Sequence, residues 1–194
     1  MELIIASHNQ NKLIEFKKIL GDKITLYNLS DYNLNEEIPE HEDTIKKNAI
    51  LKAKFVYERT GKNVFADDTG LEIDSLNGEP GVHSARYSGK EKNSEKNMEL
   101  VLNNLKNIND RKARFKTIIS LIHNGKCLNF EGIINGKITL KKEGTNGFGY
   151  DSIFQPNGYL MTFGEMEQEE KNRISHRSIA INKMIKYLKE NNLL

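Results

Sequence analysis

The chain has a single cysteine, Cys127, among its 194 residues. One cysteine excludes an internal disulfide framework and is typical of a reducing compartment, so we expect a cytoplasmic protein. Because Cys127 falls inside a strand-like run, we expect a small buried side chain there rather than a nucleophile.

Long apolar runs are also missing. A membrane span needs roughly 18 consecutive apolar residues, and no stretch of this sequence reaches that length. The apolar run at Leu3–Ala6 is too short for a signal peptide and lacks the basic start of one. We therefore expect a soluble protein with no membrane partner.

An excess of either charge is missing as well. The 29 basic residues nearly match the 27 acidic ones, which leaves a formal net charge of +2. So small a charge argues against a surface built to coat nucleic acid, and we expect no nucleic-acid partner. The length fits a single domain over residues 1–194, since no linker, repeat or low-complexity segment interrupts it.

Several catalytic motifs are missing too. The five histidines are scattered and do not have the spacing of a zinc site. There is no G-x-S-x-G motif for a serine nucleophile, and the glycines of a Walker A loop are missing. Attack by water is therefore the simplest chemistry for an enzyme of this sequence.

Hydrophobic periodicity predicts alternating strands and helices in the first half of the chain and hairpins in the second. Strands are expected at residues 3–6, 24–29, 64–66, 71–76, 115–123, 126–135 and 137–140, and helices after residues 12, 43, 94 and 175, with Ser94 as the cap of the third helix. Asn124–Gly125 and Asn135–Gly136 are the hairpin signals. Consecutive βα units followed by hairpins imply an α/β fold with a mixed sheet.

Two adjacent carboxylates, Asp67 and Asp68, follow the apolar run Val64–Ala66 and precede Gly70. This pattern predicts a strand that ends in a turn, after which a second strand begins at Leu71. Loops at strand ends are where α/β enzymes place catalytic groups. Asp and Gly also form ordinary turns, so the pair by itself leaves both interpretations open.

The polar loop Ser7–Lys12 connects the first strand to the first helix. A strand, a polar loop and a helix aim backbone N–H groups and the positive end of the helix dipole at an anion. An ordinary capped turn explains the same residues, since Ser and Asn often cap helices. Three apolar residues predict the buried face of this helix, and Glu15 falls outside that face.

A glycine-flanked loop, Thr145–Asp151, offers Phe148 as a stacking face for a base, or forms a tight turn around a core aromatic ring. Near the end of the chain, His176 and Arg177 begin the last helix, where the helix dipole disfavours cations. An acceptor-rich ligand would account for their position. Together with the carboxylates and lysines, these features are typical of a Mg²⁺-dependent nucleotide enzyme.

Six sequence blocks resemble, in the same order, those of the inosine triphosphate pyrophosphatase family, and they extend over essentially the whole chain. The blocks are Ser7-x-Asn9-x-x-Lys12, Glu40 with Asn48-Ala49-x-x-Lys52-Ala53, Ala66-Asp67-Asp68-Thr69-Gly70-Leu71, Leu76-x-Gly78-x-Pro80-Gly81-x-x-Ser84-Ala85-Arg86-Tyr87, Gly147-Phe148-Gly149-Tyr150-Asp151 and Glu170-Lys171-Asn172-x-x-Ser175-His176-Arg177. The resemblance implies hydrolysis of ITP, dITP and XTP to the monophosphate and pyrophosphate, which keeps deaminated purines out of DNA and RNA. It also implies an elongated two-lobed α/β fold with a long twisted mixed sheet flanked by helices, a nucleotide cleft between the lobes, and a homodimer.

The resemblance further implies a role for each matching residue. Asp68 would accept the proton of the attacking water and bind Mg²⁺, with Glu40 and Asp67 as further metal ligands. Lys12 and Lys52 would neutralise the triphosphate, and Thr69 would contact the substrate. The remaining implied substrate-binding residues are Ser7, His8, Asn9, Gln10 and Asn11 for the phosphates, and Phe148, Gly149, Tyr150, Asp151, Lys171, His176 and Arg177 for the base and sugar.

In this scheme, donors from His176, Arg177 and backbone N–H groups pair with the 6-keto oxygen of hypoxanthine or xanthine and oppose the 6-amino group of adenine. A mispaired buried donor costs about 1–3 kcal/mol. The sequence departs from the commonest family pattern at five positions, none of which removes a group that the mechanism requires. These are Ser7, His8, Thr69 and Ser152, where Thr, Gly, Ser and Pro are frequent, and Lys47, where Glu is common.

Two other functions stay open at this point. A related Maf-like pyrophosphatase would act on other modified nucleotides, but the Ser175-His176-Arg177 block argues against it. A nucleotide- or RNA-binding module would bind without turnover, but the near-zero net charge and the intact carboxylates oppose that function.

Overall fold

The computed structural model describes residues 1–194, with every side chain except that of Lys23. The strands are β1 (Glu2–Ile5), β2 (Thr25–Tyr27), β3 (Val64–Ile73), β4 (Lys112–His123), β5 (Lys126–Ile138) and β6 (Phe154–Pro156). The helices are α1 (Gln10–Leu20), α2 (Ile45–Thr60), α3 (Ser94–Asn104), α4 (Gln168–Ile174) and α5 (His176–Glu190). The six strands form one sheet in the order β2-β1-β3-β4-β5-β6.

The sheet is mixed, as the sequence predicts. β1 runs parallel to β2, with Glu2 opposite Thr25, and parallel to β3, with Ile4 opposite Val64. β6 runs antiparallel to β5. Parallel strands joined by helices in the first half and an antiparallel edge in the second half confirm the α/β class with a mixed sheet.

α1 begins at Gln10, inside the segment 7–12 that was predicted to be a loop, whereas α2 begins at Ile45, close to its predicted start. The Asn9 side chain caps α1 by accepting from the backbone N–H of Lys12 at 3.2 Å, and the Thr44 hydroxyl caps α2 in the same way. Each helix ends at a glycine with positive φ, 60° at Gly21 and 63° at Gly61. None of the helices that the structure describes has the length and apolar character needed to cross a membrane.

β3 is one continuous strand, so the predicted turn at Asp67 and Asp68 is wrong. Gly70 also lies within β3, and the strand ends only at Ile73. β3 lies in the sheet between β1 and β4. An interior strand must pair its backbone N–H and C=O groups on both sides, and this requirement outweighs the local turn preference of Asp and Gly.

The two Asn-Gly hairpin signals have opposite outcomes. Asn124 and Gly125 form the predicted turn between β4 and β5, with φ of 48° and 77°. The second hairpin is wrong, because β5 continues through Asn135 and Gly136 to Ile138. Gly136 lies opposite Pro156 of β6. A Cβ at Gly136 would come within 2.3 Å of the Gln155 carbonyl oxygen, so the glycine permits close strand pairing rather than a turn.

Three smaller expectations are also corrected. Asn93, not Ser94, caps α3, and its side chain accepts from the backbone N–H of Lys96. The predicted strand 24–29 is shorter and ends at Tyr27. Cys127 is exposed on β5 rather than buried.

The chain divides into two compact units. The first unit comprises residues 1–68, 117–132 and 177–194, and the second comprises residues 69–116 and 133–176. In the first unit, Phe16 of α1 packs edge-on against Phe65 of β3, with 4.9 Å between ring centroids. In the second unit, Phe115 and Phe154 pack at 4.6 Å within the core. The expectation of a single domain over residues 1–194 stays a prediction.

Candidate active site

The first unit contains a group of buried and half-buried charges that we call the charged cluster. Its members come from α1, α2, β3, α5 and the segment before α2. They are Lys12, Glu15, Glu40, Lys52, Asp67, Asp68 and Arg177.

Asp67 is the most deeply buried carboxylate of the charged cluster. Its Oδ2 lies 2.8 Å from Lys12 Nζ and 3.6 Å from Arg177 Nε. Burial alone raises the pKa of the Asp67 carboxyl, but the charges of Lys12 and Arg177 outweigh this effect and hold the pKa well below its usual range. Burial also lowers the pKa of the Lys12 ammonium, which Asp67 only partly offsets. Asp67 is therefore an ionised counter-charge to two cations.

Arg177 is fully buried, and its Nη1 forms an ion pair with Glu15 Oε2. Glu15 is 4% exposed, so the expectation that it falls outside the buried face of α1 is wrong. The reason is this ion pair, since a buried carboxylate needs a cationic partner. The ion pairs with Glu15 and Asp67 account for the position of Arg177 near the start of α5, so no ligand is needed to explain it.

Lys52 joins the two remaining carboxylates of the charged cluster. Its Nζ lies 2.7 Å from Glu40 Oε1 and 3.0 Å from Asp68 Oδ1. Burial alone lowers the pKa of the Lys52 ammonium, but Asp68 and Glu40 outweigh it and raise the pKa above the usual value. Burial raises the pKa of the Asp68 carboxyl, and Lys52 offsets part of that rise. A carboxylate with a raised pKa is a better proton acceptor than an exposed one.

The sequence of α2 explains the burial of Lys52. Lys52 follows Asn48 and Ala49 by one helical turn and precedes Val56 by another, which places it on the buried face. The Asn48 Oδ1 accepts from the backbone N–H of Glu42 at 2.9 Å. This contact ties the acidic segment to α2 and so positions Glu40 near Lys52.

The loop before α1 is mostly exposed. The Ser7 hydroxyl accepts from the backbone N–H of Asn9, and Asn9 in turn caps α1. His8 Nε2 lies 3.0 Å from the backbone oxygen of Glu36. Gln10 and Asn11 form the first turn of α1, where backbone N–H groups have no partner within the helix. The loop thus presents the donors that an anion site requires, and its predicted role in phosphate binding stays a prediction.

The second unit holds the aromatic loop around one carboxylate. Asp151 Oδ2 accepts from the backbone N–H of Phe148 at 2.7 Å and from Lys171 Nζ at 2.7 Å. A Cβ at Gly147 would lie 2.1 Å from the same oxygen, so only glycine allows this approach. The Lys171 ammonium also lies 5.0 Å from the centroid of the Phe148 ring. Asp151 therefore fixes the backbone of the loop and the position of Lys171.

Other predicted site residues of the second unit have structural contacts of their own. The His176 ring is buried and stacks on Phe115, with 4.6 Å between centroids. The Tyr150 hydroxyl donates to the Ser84 carbonyl oxygen at 2.7 Å. Gly149 has φ of 70°, and Thr69 is half-buried in β3.

Before a substrate binds, the described residues supply only part of the ligands that a magnesium ion needs. Among the described residues, no three His, Cys, Asp or Glu side chains are grouped to hold a metal ion. Two carboxylate oxygens do converge on one cation, since Glu40 and Asp68 both contact Lys52 Nζ. Mg²⁺ is commonly bound by one or two carboxylates together with substrate phosphates, so Glu40 and Asp68 fit a metal that shares its ligands with a triphosphate.

Two residues in these sites were missed by sequence reasoning. Glu15 pairs with Arg177, which lies 162 residues further along the chain, so its buried role had no local sequence signal. Asn48 belongs to a recognised block, but its role in holding Glu42 has no sequence signal. The helix α4, which carries Lys171, was not predicted either.

Comparisons with known proteins agree with the resemblance inferred from the six blocks. The family model described as Ham1 family matches residues 3–187. A protein named dITP/XTP pyrophosphatase from Flavobacterium johnsoniae is 50% identical over 97% of this chain and 98% of its own length. A protein of the same name from Christiangramia forsetii is 52% identical over 97% and 99%. The solved structure of the Staphylococcus aureus Ham1 protein superposes with a TM-score of 0.90 at 40% identity, covering 98% of this chain and 100% of that one.

Proposed function

Because the chain belongs to the Ham1 family, we propose that it hydrolyses the deaminated purine nucleoside triphosphates dITP, ITP and XTP to the monophosphate and pyrophosphate. Relatives named dITP/XTP pyrophosphatase support this substrate class, since they match this chain over nearly its whole length. The observation that carries the proposal is the charged cluster, in which two lysines and three carboxylates of the recognised blocks meet in one unit. The reaction would remove deaminated nucleotides before they are incorporated into DNA and RNA.

Asp68 is the proton acceptor in this proposal. Water attacks phosphorus, its proton passes to Asp68, and the phosphoanhydride bond that joins the α-phosphate to pyrophosphate breaks. Burial, which raises the pKa of the Asp68 carboxyl, favours this role. Asp67 does not compete for it, because Lys12 and Arg177 hold that carboxyl ionised with a low pKa.

Lys12 and Lys52 supply the positive charge. Phosphoryl transfer gains most of its rate from positioning and charge neutralisation. Both ammonium groups are already placed by carboxylates, at 2.8 Å from Asp67 and 2.7 Å from Glu40. The first turn of α1 would add backbone donors through Asn9, Gln10 and Asn11.

We also propose that the reaction depends on Mg²⁺, with Glu40 and Asp68 as its protein ligands. The metal would neutralise charge on the phosphates and activate the attacking water. The convergence of these two carboxylates on Lys52 supports the assignment. The resemblance alone assigns Asp67 as a further ligand.

The aromatic loop of the second unit is the proposed recognition element for base and sugar. Phe148 offers a ring face, and Lys171 offers ammonium donors that Asp151 positions. His176, Arg177 and backbone N–H groups are further base donors by resemblance alone, since the structure stacks His176 on Phe115 and pairs Arg177 with Glu15 and Asp67 in the first unit. A keto acceptor in place of an amino donor is what separates hypoxanthine and xanthine from adenine.

The compartment, oligomeric state and partners of the protein are proposed from its composition and from the family resemblance. We propose a cytoplasmic homodimer that binds neither nucleic acid nor membranes. The near balance of charge supports the absence of nucleic-acid binding. Light scattering tests the oligomer, since a dimer has twice the chain mass of 22.2 kDa.

The test of function is the release of pyrophosphate from dITP, ITP, XTP, GTP, ATP and dTTP, each with Mg²⁺ and with EDTA. We expect fast, metal-dependent release from dITP, ITP and XTP and slow release from GTP and ATP. Release of single phosphates would place the attack at the γ-phosphate and refute the proposal. A higher kcat/KM for dTTP than for ITP would favour the Maf-like alternative, and binding without turnover would favour the binding module.

A further inference from the structure

A cation already lies where two proposed metal ligands converge. The ammonium of Lys52 contacts Glu40 Oε1 at 2.7 Å and Asp68 Oδ1 at 3.0 Å. The Lys52 side chain is 5% exposed, and that of Asp68 is 12% exposed. Since both carboxylates are paired with the same ammonium, a second cation on these oxygens would meet a like charge at close range.

The three side chains are held by different elements. Lys52 lies on the buried face of α2, and Asp68 is part of β3. Glu40 belongs to the segment that Asn48 ties to α2 through Glu42. The backbone that carries each carboxylate is therefore held in place, and Lys52 reaches both oxygens through a four-carbon stem with three rotatable donors. The ammonium can turn to another acceptor without movement of α2.

We propose that Lys52 acts as an internal counter-cation, which holds Glu40 and Asp68 until a triphosphate binds. The Lys52 ammonium then pairs with phosphate oxygens instead, and the two carboxylates become available to bind Mg²⁺. The inference deepens the proposed function and rests on its metal dependence. The affinity for Mg²⁺ is therefore low without nucleotide and higher when nucleotide is bound. By linkage, bound Mg²⁺ raises the affinity for the nucleotide by the same factor.

The experiment measures Mn²⁺ binding by the loss of the free-ion electron paramagnetic resonance signal, without nucleotide. We expect Lys52→Met to bind one Mn²⁺ at least about tenfold more tightly than the wild-type protein. The control for general electrostatics is Lys171→Met, which removes a buried charge that contacts Asp151 in the second unit instead. The surface control is Lys47→Met, whose partner is the exposed Asp43. Both controls are expected to stay within about threefold of wild type.

A second measurement uses the wild-type protein alone, so the inference does not depend on the folding of a variant. Adding a non-hydrolysable dITP analogue is expected to tighten Mn²⁺ binding at least about tenfold beyond the affinity of the analogue itself for Mn²⁺. The absence of any gain with the analogue in wild type, equal Mn²⁺ affinity in wild type and Lys52→Met, or an equal gain in Lys171→Met would overturn the inference. Pyrophosphate release from dITP is measured in parallel on the wild-type protein. A failure of the proposed function would appear as absent release, whereas a failure of this inference would appear in the Mn²⁺ affinities.

Discussion

Asp67 and Asp68 are neighbours of the same residue type with different environments. Side chains alternate across a strand, so the two carboxylates of β3 point to opposite faces. Asp67 contacts Lys12 and Arg177, and Asp68 contacts Lys52. The first arrangement is that of a counter-charge, and the second leaves a carboxylate that can exchange partners.

The change Asp68→Asn tests the proton acceptor. The carboxamide keeps the size of the side chain but cannot accept the proton of water, so we expect kcat to fall by about 10²–10⁴-fold. The melting temperature should stay within a few degrees, because one of two carboxylates still pairs with Lys52. Near-normal turnover in this variant would rule out the assigned mechanism.

The change Asp67→Asn should act on stability first. It removes a counter-charge from Lys12 and Arg177, and breaking a buried ion pair costs about 3–5 kcal/mol. Urea denaturation with EDTA present gives the free energy of unfolding. A fully stable Asp67→Asn protein would show that this carboxylate is not needed as a structural counter-charge.

Tyr150 gives a prediction with a defined pH window. Burial, with a smaller contribution from Tyr87, raises the pKa of the Tyr150 hydroxyl above its ordinary value of about 10. A folded-state pKa above the unfolded value means that the stabilisation is complete below about pH 10 and is lost as pH rises through the folded pKa. Tyr150→Phe should therefore cost about 1 kcal/mol at pH 7, because the bond to the Ser84 carbonyl is lost, and this difference should shrink in strong alkali. Denaturation of both proteins at neutral and alkaline pH measures it, and a constant difference would contradict the burial argument.

At the scale of elements, local signals worked where nothing competed with them. Asn9, Thr44 and the Asn124–Gly125 turn were predictable because capping and two-residue turns depend on nearby residues. The same Asn-Gly pair at residues 135–136 failed, because pairing with β6 keeps β5 extended there. Sequence could not reveal such pairing, since it depends on partners that are remote along the chain.

The candidate site shows the same limit. The six blocks predicted which residues matter, but not how they pair. Glu15 and Arg177 are 162 residues apart, and neither position indicates the other locally. The periodicity of α1 assigned Glu15 to the polar side because an amphipathic pattern treats every carboxylate as solvated. Buried ion pairs are the exception that such a pattern misses.

Gly136→Ala tests the contact between β5 and β6. The φ of Gly136 is not positive, so alanine can adopt the same backbone conformation. The cost is steric, because the new Cβ would lie 2.3 Å from the Gln155 carbonyl oxygen and 2.7 Å from the Phe154 ring. We expect a loss of about 1–3 kcal/mol in the free energy of unfolding. Lys137→Ala is the matched control, since that residue is exposed on the same strand. Equal stability of the two variants would mean that β6 can move away freely.

At the scale of the whole molecule, the strands link the two units through the chain itself. β3, β4 and β5 each begin in one unit and end in the other, with divisions after Asp68, Lys116 and Gly132. β3 supplies Phe65 to a core of the first unit and Leu71 to the core of the second. A strand that loses order in one half also loses ladder hydrogen bonds beside the other half, so neither core should melt alone.

We therefore expect a single calorimetric transition, with equal calorimetric and van't Hoff enthalpies. Asp67→Asn acts in the first unit and Gly136→Ala in the second, which makes them a matched pair for this test. If the chain is one cooperative domain, each change lowers the melting temperature of the whole protein without splitting the transition. Two separate transitions, of which each variant shifts only one, would show that the units unfold independently. Scanning calorimetry of the three proteins without metal or nucleotide distinguishes these outcomes, because bound ligand would stabilise the folded state by mass action and mask a weak unit.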